Sequence, residues 1–230
     1  MISHIPLRVF APLLLCLLCG FSILTGCETS DTAEAPQPAA SVEQPAAEAE
    51  RAREKANTAM GLYYDVLHGE AETARLGEAR QALEEARALQ PRSPRIEKDY
   101  VQVLLAMGKI RQAIQISEAL LEEDEAYLIN HAMMLDRYRS FEAARPYYEA
   151  YTNQLQARVD AQHISAERLG EGITLAIGLL LMEEDEQAYG LIETLQQRHP
   201  SARIWGDYLH LQRREFSKRD YLRDIYPEID

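Results

Sequence analysis

The chain has 230 residues, with 37 acidic against 24 basic side chains and a formal net charge of −13 at pH 7. A chain this acidic repels nucleic acid and anionic lipid surfaces, which excludes nucleic acid as a binding partner. All three cysteines lie within the first 27 residues, so the remainder of the chain can form no disulfide of its own.

The first predicted element is an export signal. Arg8 precedes an apolar run, VFAPLLLCLLCGFSILT, at positions 9–25. A membrane-spanning helix needs about 20 apolar residues, and this shorter run is also interrupted by Pro12 and Gly20. A positive start, a short apolar run and small residues at its end are typical of a secretory signal. The pattern therefore predicts a signal peptide over residues 1–26.

The end of this run carries a cysteine in a specific setting. Leu24-Thr25-Gly26-Cys27 resembles the lipobox of bacterial lipoproteins. The resemblance implies signal cleavage between Gly26 and Cys27, diacylglycerol on the Cys27 thiol, and an acylated amino terminus. Several acyl chains hold a protein on a membrane firmly, whereas one binds only marginally. Two alternatives stay open: an uncleaved anchor, and an ordinary secretory signal with an incidental cysteine.

The residue that follows Cys27 indicates which membrane would hold the protein. In lipoprotein sorting, an aspartate at this place retains the protein in the inner membrane, and here the residue is Glu28. The resemblance therefore implies a lipid-anchored protein of the outer membrane that faces the periplasm.

Residues 27–50 form the next predicted segment, an acidic linker. After Cys27 they contain no aromatic residue, one β-branched aliphatic residue, Val42, and three prolines. Such a composition cannot bury enough apolar surface to fold, which predicts a disordered tether. Roughly 180 residues remain, enough for one domain with its own core.

From residue 51 onward, apolar residues recur at helical spacing and strand-like alternation is absent. One such stripe lies within 79–89 and another within 141–155. Ser93 followed by Pro94 has the pattern of a helix N-cap with proline in the first turn. The sequence therefore predicts an all-α domain.

The helical region also repeats. Within RLGEARQALEEARALQPRSP (75–94), Gly77 lies near a predicted turn and Leu83 at a large apolar position between small residues. Ala113 follows Ala79 by 34 residues. The equivalent small positions are Ala79, Ala113, Ala144 and Ala188. This pattern resembles the tetratricopeptide repeat.

The resemblance implies a tetratricopeptide-like α-solenoid over 51–200 with about four to five antiparallel helix pairs, closed by a capping helix and tail over 201–230. The pattern is degenerate, because the third unit lacks a turn glycine and Ser117 occupies a large apolar position. A looser α-solenoid and a plain helical bundle stay open as alternatives.

In this family the first helix of each pair lines a groove that binds peptides or helices of partner proteins. Arg95 and Lys98 would pair there with acidic groups of a partner. The apolar fourth unit, Ile173 to Leu181, would be either filled by the C-terminal segment or left open for a partner helix. The expected groove residues are Lys55, Leu62, Asp65, Arg95, Lys98, Gln102, Met133, Asp136 and Arg137.

Motifs for chemistry are missing from the sequence. The five histidines after Cys27 show no metal-ligand spacing, and no nucleotide or nucleophile motif occurs. The tetrapeptide EEDE occurs at 122–125 and 183–186, without the turn glycine that a calcium loop needs. We therefore expect no catalytic residue, no metal and no cofactor.

These observations predict a membrane-anchored periplasmic scaffold that binds other envelope proteins, in pilus or secretion assembly or in envelope biogenesis. Two alternatives remain. One is a ligand-binding lipoprotein whose fourth unit lines an apolar pocket. The other is a helical cell-wall enzyme, which would need a buried glutamate opposite a second carboxylate.

Overall fold

A computed structural model describes residues 43–160 and 163–227 of the chain. The predicted signal peptide, Cys27 and the first part of the predicted tether lie outside the described residues. Within the described ranges all regular structure is helical. The α-helices are α1 Glu43–Leu67, α2 Arg75–Leu89, α3 Pro94–Ala106, α4 Ile110–Leu120, α5 Leu128–Tyr138, α6 Phe141–Gln156, α7 Leu169–Leu181, α8 Asp185–Arg198, α9 Leu209–Gln212 and α10 Lys218–Ile225.

The helices form four pairs: α1 with α2, α3 with α4, α5 with α6, and α7 with α8. From α2 to α8 each helix packs against the next one along the chain, and the Lys55–Glu85 ion pair joins α1 to α2. This confirms the predicted all-α, repeat-based fold. Beyond α8 the described chain forms a 3₁₀ turn, Arg203–Gly206, and the short helices α9 and α10.

The small residues of the repeat lie where helices approach most closely. Ala79, Ala113, Ala144 and Ala188 are all 0 % exposed. Larger side chains such as Leu83 and Tyr148 fill the space to the next pair and are equally buried. Since a single pair cannot bury its apolar side alone, the stacked units share one continuous core.

The connections within pairs differ from one unit to the next. Gly108 connects α3 to α4 with a φ of +69°, a conformation that favours glycine. Gly77, which was predicted to lie near the turn, is the third residue of α2, directly after the α1–α2 connection. In the first pair the residue with positive φ is Gly69, with a φ of +73°, in the longer connection between Leu67 and Arg75.

Helix α1 begins earlier than the sequence indicated. The linker was predicted to extend to residue 50, but the helix starts at Glu43. Pro45 lies in the first turn, where its missing N–H costs no helical hydrogen bond. The alanine- and glutamate-rich sequence that follows favours helix. Further along, a buried stripe comprises Ala52, Ala56, Ala59, Tyr63 and Val66.

A buried polar pair explains the unusual serine of the second unit. Ser117 of α4 is 0 % exposed, and its Oγ lies 2.7 Å from Nδ1 of His131 on α5. His131 is also buried, and its ring packs edge-on against Tyr147 at 4.6 Å between centroids. The imidazole of the third unit thus occupies the space that a large apolar residue at 117 would fill.

Candidate partner-binding face

The predicted groove residues lie on the first helix of three pairs. We call this side of α1, α3 and α5 the first-helix face. Its positions are Lys55, Leu62 and Asp65 on α1, Arg95, Lys98 and Gln102 on α3, and Met133, Asp136 and Arg137 on α5.

The α5 part of this face is covered by the chain itself. Helix α10 packs against α5, and the Tyr226 hydroxyl donates a hydrogen bond to the Asn130 carbonyl oxygen at 2.8 Å. The Lys218 ammonium lies 2.9 Å from an Asp136 carboxylate oxygen and 3.1 Å from one of Glu183. The C-terminal segment therefore docks on its own solenoid.

Two predicted contact residues are thereby excluded. Met133 is 1 % exposed and belongs to the core. The Asp136 side chain is 7 % exposed and is held by Lys218 and by the Tyr148 hydroxyl, which donates to it at 3.1 Å. Assigning both to partner binding was wrong, because α10 and the helix packing close over them. Arg137 is half-buried, and its guanidinium lies 5.8 Å from the Tyr138 ring centroid.

The apolar fourth unit is closed as well. Ile173, Ile177, Leu180 and Leu181 are between 0 and 7 % exposed. They are therefore not left open for a partner helix, and two open clefts among the described residues lie elsewhere, beside Lys55 and beside Lys109.

The predicted basic residues are already engaged within the chain. Lys55 is paired with Glu85. Arg95 donates to the Asn57 side-chain oxygen at 2.8 Å. The Lys98 ammonium lies 2.6 Å from an Asp124 carboxylate oxygen. These cations tie α1 to α2, α1 to α3, and α3 to the connection before α5, which reduces their availability to acidic groups of a partner.

Unlike these engaged cations, Asp99 on α3 forms no hydrogen bond or ion pair within the described structure. It is partly buried between Arg95 and Lys98, and among the described residues its carboxylate makes no hydrogen bond or ion pair. Burial raises the pKa of Asp99 from 3.8 to about 6, although Arg95 and Lys98 act to lower it. Asp99 also acts with burial to raise the pKa of Tyr127. The carboxylate is thus partly desolvated and has no hydrogen bond or ion pair within the described structure.

Sequence reasoning missed Asp99, although a signal for it existed. The repeat register that placed Arg95, Lys98 and Gln102 on the first-helix face also places Asp99 there, one helical turn after Arg95. The cations Arg95 and Lys98 have pairing partners that lie far away in the sequence. Only the fold shows that both cations are engaged and the acid is not.

The part of the face on α1 and α3 stays accessible within the described structure. Asp65 and Arg95 are exposed, and Leu62, Asp99 and Gln102 are partly exposed. We call these five residues the open face. It combines an aliphatic side chain, an amide, a guanidinium and two carboxylates on α1 and α3.

The described residues form no group of three or more metal-ligating side chains, and no described helix is long and apolar enough to cross a membrane.

In each EEDE segment one acid is engaged with a lysine, Asp124 with Lys98 and Glu183 with Lys218. The pKa of Asp99 is shifted by burial and by the cations Arg95 and Lys98, and no second carboxylate contributes to the shift. A carboxylate pair of the glycosidase type is therefore not formed around Asp99.

The state of Asp99 leads to a testable prediction. Because the folded-state pKa is raised, the charged form destabilises the fold, and stability falls as the pH rises through about 6. We expect Asp99→Asn to increase the free energy of unfolding at pH 7.5 by on the order of 1–2 kcal/mol, reduced from the full value by residual solvent contact. The difference from wild type should vanish near pH 4. Urea denaturation at both pH values measures it, and a variant that destabilises at pH 7.5 would contradict it.

A family model described as "Tetratricopeptide repeat" matches residues 70–135, from the α1–α2 connection to α5. The repeat resemblance predicted from the sequence is confirmed for this part of the chain. Tetratricopeptide repeats generally bind protein partners and are generally not catalytic. No curated protein and no solved structure shows a significant match to the chain.

Proposed function

Because residues 70–135 are tetratricopeptide repeats, we propose that the protein is a membrane-anchored periplasmic scaffold that holds other envelope proteins on its open face. The observation that carries the proposal is the contrast along the first-helix face. Its α5 part is occupied by α10, whereas Leu62, Asp65 and Gln102 stay accessible on α1 and α3.

The location rests on the sequence around Cys27. Lipidation there would place the repeats a short tether away from the membrane, on the periplasmic side. Glu28 in place of an aspartate favours the outer membrane. Assembly of pili or secretion systems and envelope biogenesis are the settings in which such scaffolds act, a choice that rests on analogy between folds.

The anchor can be tested with one substitution. We expect Cys27→Ser to abolish palmitate labelling and to move the protein from the membrane fraction to the soluble periplasmic fraction. Cys16→Ser is the matched control, because Cys16 lies inside the predicted signal and should leave labelling and fractionation unchanged. Metabolic labelling with fractionation measures both. A Cys27→Ser protein that stays in the membrane fraction would refute the lipid anchor.

The scaffold role can be tested by capture from envelope extract. The bait is residues 28–230, compared with a variant of the open face, Asp65→Lys with Gln102→Lys. The control carries the same changes on the second-helix side, Gln115→Lys with Glu122→Lys, at two exposed positions. We expect envelope proteins that bind wild type and the control but not the face variant.

The outcomes separate the alternatives. Equal capture by all three baits would leave a scaffold but assign its binding to another surface. No capture by any bait would contradict a stable scaffold role.

A further inference from the structure

Helix α10 contacts the repeats through side chains that lie on one side of it. Lys218, Leu222 and Tyr226 are spaced by four residues, which places them on the same side of a helix. Leu222 is 4 % exposed and Tyr226 9 %, whereas Arg219 and Arg223 on another side are exposed. The helix is therefore amphipathic, and its buried side is the side that meets the repeats.

The repeats hold two of these side chains by specific polar contacts. The Tyr226 hydroxyl donates to the Asn130 carbonyl oxygen at 2.8 Å. The Lys218 ammonium, 18 % exposed, lies 2.9 Å from an oxygen of Asp136 and 3.1 Å from one of Glu183. We call Asn130 and Asp136 on α5, with Glu183 in the α7–α8 connection, the α10 site. It accepts a cation and a hydroxyl from one helix.

Glu183 reaches α10 from a backbone conformation that favours glycine. Its φ is +65°, close to the +69° of Gly108 in the α3–α4 connection. The Glu183 N–H donates to the Leu180 carbonyl oxygen, as the Gly108 N–H donates to that of Leu105. A side chain at this place is strained. In return, the α7–α8 connection presents to Lys218 a carboxylate that glycine lacks.

The attachment of α10 allows it to leave while the repeats stay folded. Residues 213–217 connect α9 to α10, and Arg213, Glu215 and Ser217 among them are exposed. From α2 to α8 each helix packs against the next one, and α10 takes no part in those contacts. A helix of eight residues is unstable alone in water. Docking therefore maintains α10, and its release is a local event.

We propose that α10 is an intramolecular ligand that blocks the α10 site and gives way to a partner helix with the same three groups. Such a helix presents a cation, an aliphatic side chain four residues later, and a phenol hydroxyl after four more. The proposal goes beyond the proposed function, because it concerns the part of the first-helix face that α10 covers and not the open face.

The test separates α10 from the chain without changing a residue of the α10 site. A protease recognition sequence is inserted between Glu215 and Phe216 of the chain 28–230, and cleavage frees residues 216–230. A fluorescein-labelled synthetic peptide of residues 216–230 is then added, and fluorescence anisotropy measures its binding to the cut and the uncut chain. Urea denaturation checks that the repeats remain folded after cleavage.

A second variant opens the site without an insertion. Leu222→Asp in the otherwise unchanged chain 28–230 places a charge in the buried contact of α10, which expels the helix. Arg219→Asp is the matched control, because it introduces the same side chain at an exposed position of α10.

We expect the peptide to bind the cut chain and the Leu222→Asp chain at least about 10-fold more tightly than the uncut chain. A segment on a short flexible connection acts at an effective concentration of about 1 mM, so the tethered α10 excludes a peptide added at micromolar concentration. The Arg219→Asp chain should bind the peptide as weakly as wild type.

Changes in the peptide identify the groups that the site selects. Leu222→Asp and Lys218→Met should each weaken the binding of the peptide to the cut chain at least about 10-fold. Tyr226→Phe, which removes the hydroxyl that donates to Asn130, should weaken it about 2- to 10-fold. Arg219→Met should leave it unchanged.

The chemistry of the partner is tested with a phage-displayed library of helical peptides, selected on the Leu222→Asp chain. We expect enriched peptides to carry a basic residue, an aliphatic residue four positions later and a tyrosine after four more. They should bind wild type more weakly by the same factor as the peptide of residues 216–230, because α10 competes with both.

Each part of the proposal has a result that would overturn it. Equal binding of the peptide to the cut and uncut chains would show that α10 does not block the site. Absence of binding to the folded cut chain and to the folded Leu222→Asp chain would show that α10 is not a ligand. Selected peptides without the three groups would refute the stated partner. The proposed function is tested separately, at Asp65 and Gln102.

Discussion

Lys218→Met is expected to lower the free energy of unfolding by about 3 kcal/mol, the lower end of the range for breaking a buried ion pair. The substitution removes the ammonium that lies 2.9 Å from Asp136, whose side chain is 7 % exposed. It also removes a contact with the Phe141 ring, whose centroid lies 3.8 Å from the ammonium. The Asp136 charge would then be buried with the Tyr148 hydroxyl as its remaining bonded partner.

Controls for this prediction are available on the same helix. Arg219→Met changes an exposed neighbour on α10 and should shift stability by no more than about 0.5 kcal/mol. Adding Asp136→Asn to Lys218→Met should recover much of the loss, because the buried charge is gone and the amide oxygen still accepts from Tyr148. Urea denaturation at pH 7.5 measures all variants. Equal stability of Lys218→Met and Arg219→Met would show that α10 is not seated on α5.

Ser117→Leu is the second change with a large expected effect. It introduces the kind of residue that the repeat pattern places at this position, yet we expect it to destabilise the fold by about 2–4 kcal/mol. The larger side chain would compete for the space of His131 and remove the acceptor or donor 2.7 Å from its Nδ1. Ser117→Ala, which removes only the hydroxyl, should cost less, about 1–2 kcal/mol.

A double variant tests whether the leucine destabilises the fold by competing with His131 for space. Ser117→Leu with His131→Ala should be more stable than Ser117→Leu alone, because the leucine then fills the space that the imidazole leaves. Burial lowers the pKa of His131 below 6.5, so in wild type its contribution to stability is lost as the pH falls below that value. Variants without His131 should lack this acid-side loss. Stabilisation by Ser117→Leu alone in urea denaturation would contradict the buried pair.

The C-terminal segment gives the first-helix face two different parts. Lys218, Leu222 and Tyr226 recur every four residues, and all three are directed into the contact with the repeats: Leu222 is 4 % and Tyr226 9 % exposed. The same surface that binds partners in tetratricopeptide proteins is here partly filled in cis. The proposed partner binding is thereby limited to the part of the first-helix face on α1 and α3.

The sequence by itself determined the helical repeat. Helical spacing of apolar residues and the recurrence of Ala79, Ala113, Ala144 and Ala188 depend on local geometry, which the chain carries in its residue order. The same reasoning placed Ser93 before α3, where the structure has its N-cap residue, although the Ser93 side chain makes no capping hydrogen bond. The linker boundary was placed too late because composition alone does not show where an alanine-rich helix begins.

Only the tertiary structure decided which charges of the first-helix face are available. The partners of Arg95, Lys98 and Asp136 lie 38, 26 and 82 positions away in the sequence, so no local pattern could reveal that these groups are engaged. Asp99, which neighbours both cations in the sequence, is left without a partner because each cation is held by another helical unit. Burial and long-range pairing are properties of packed helices, and they decide which side chains are engaged within the fold.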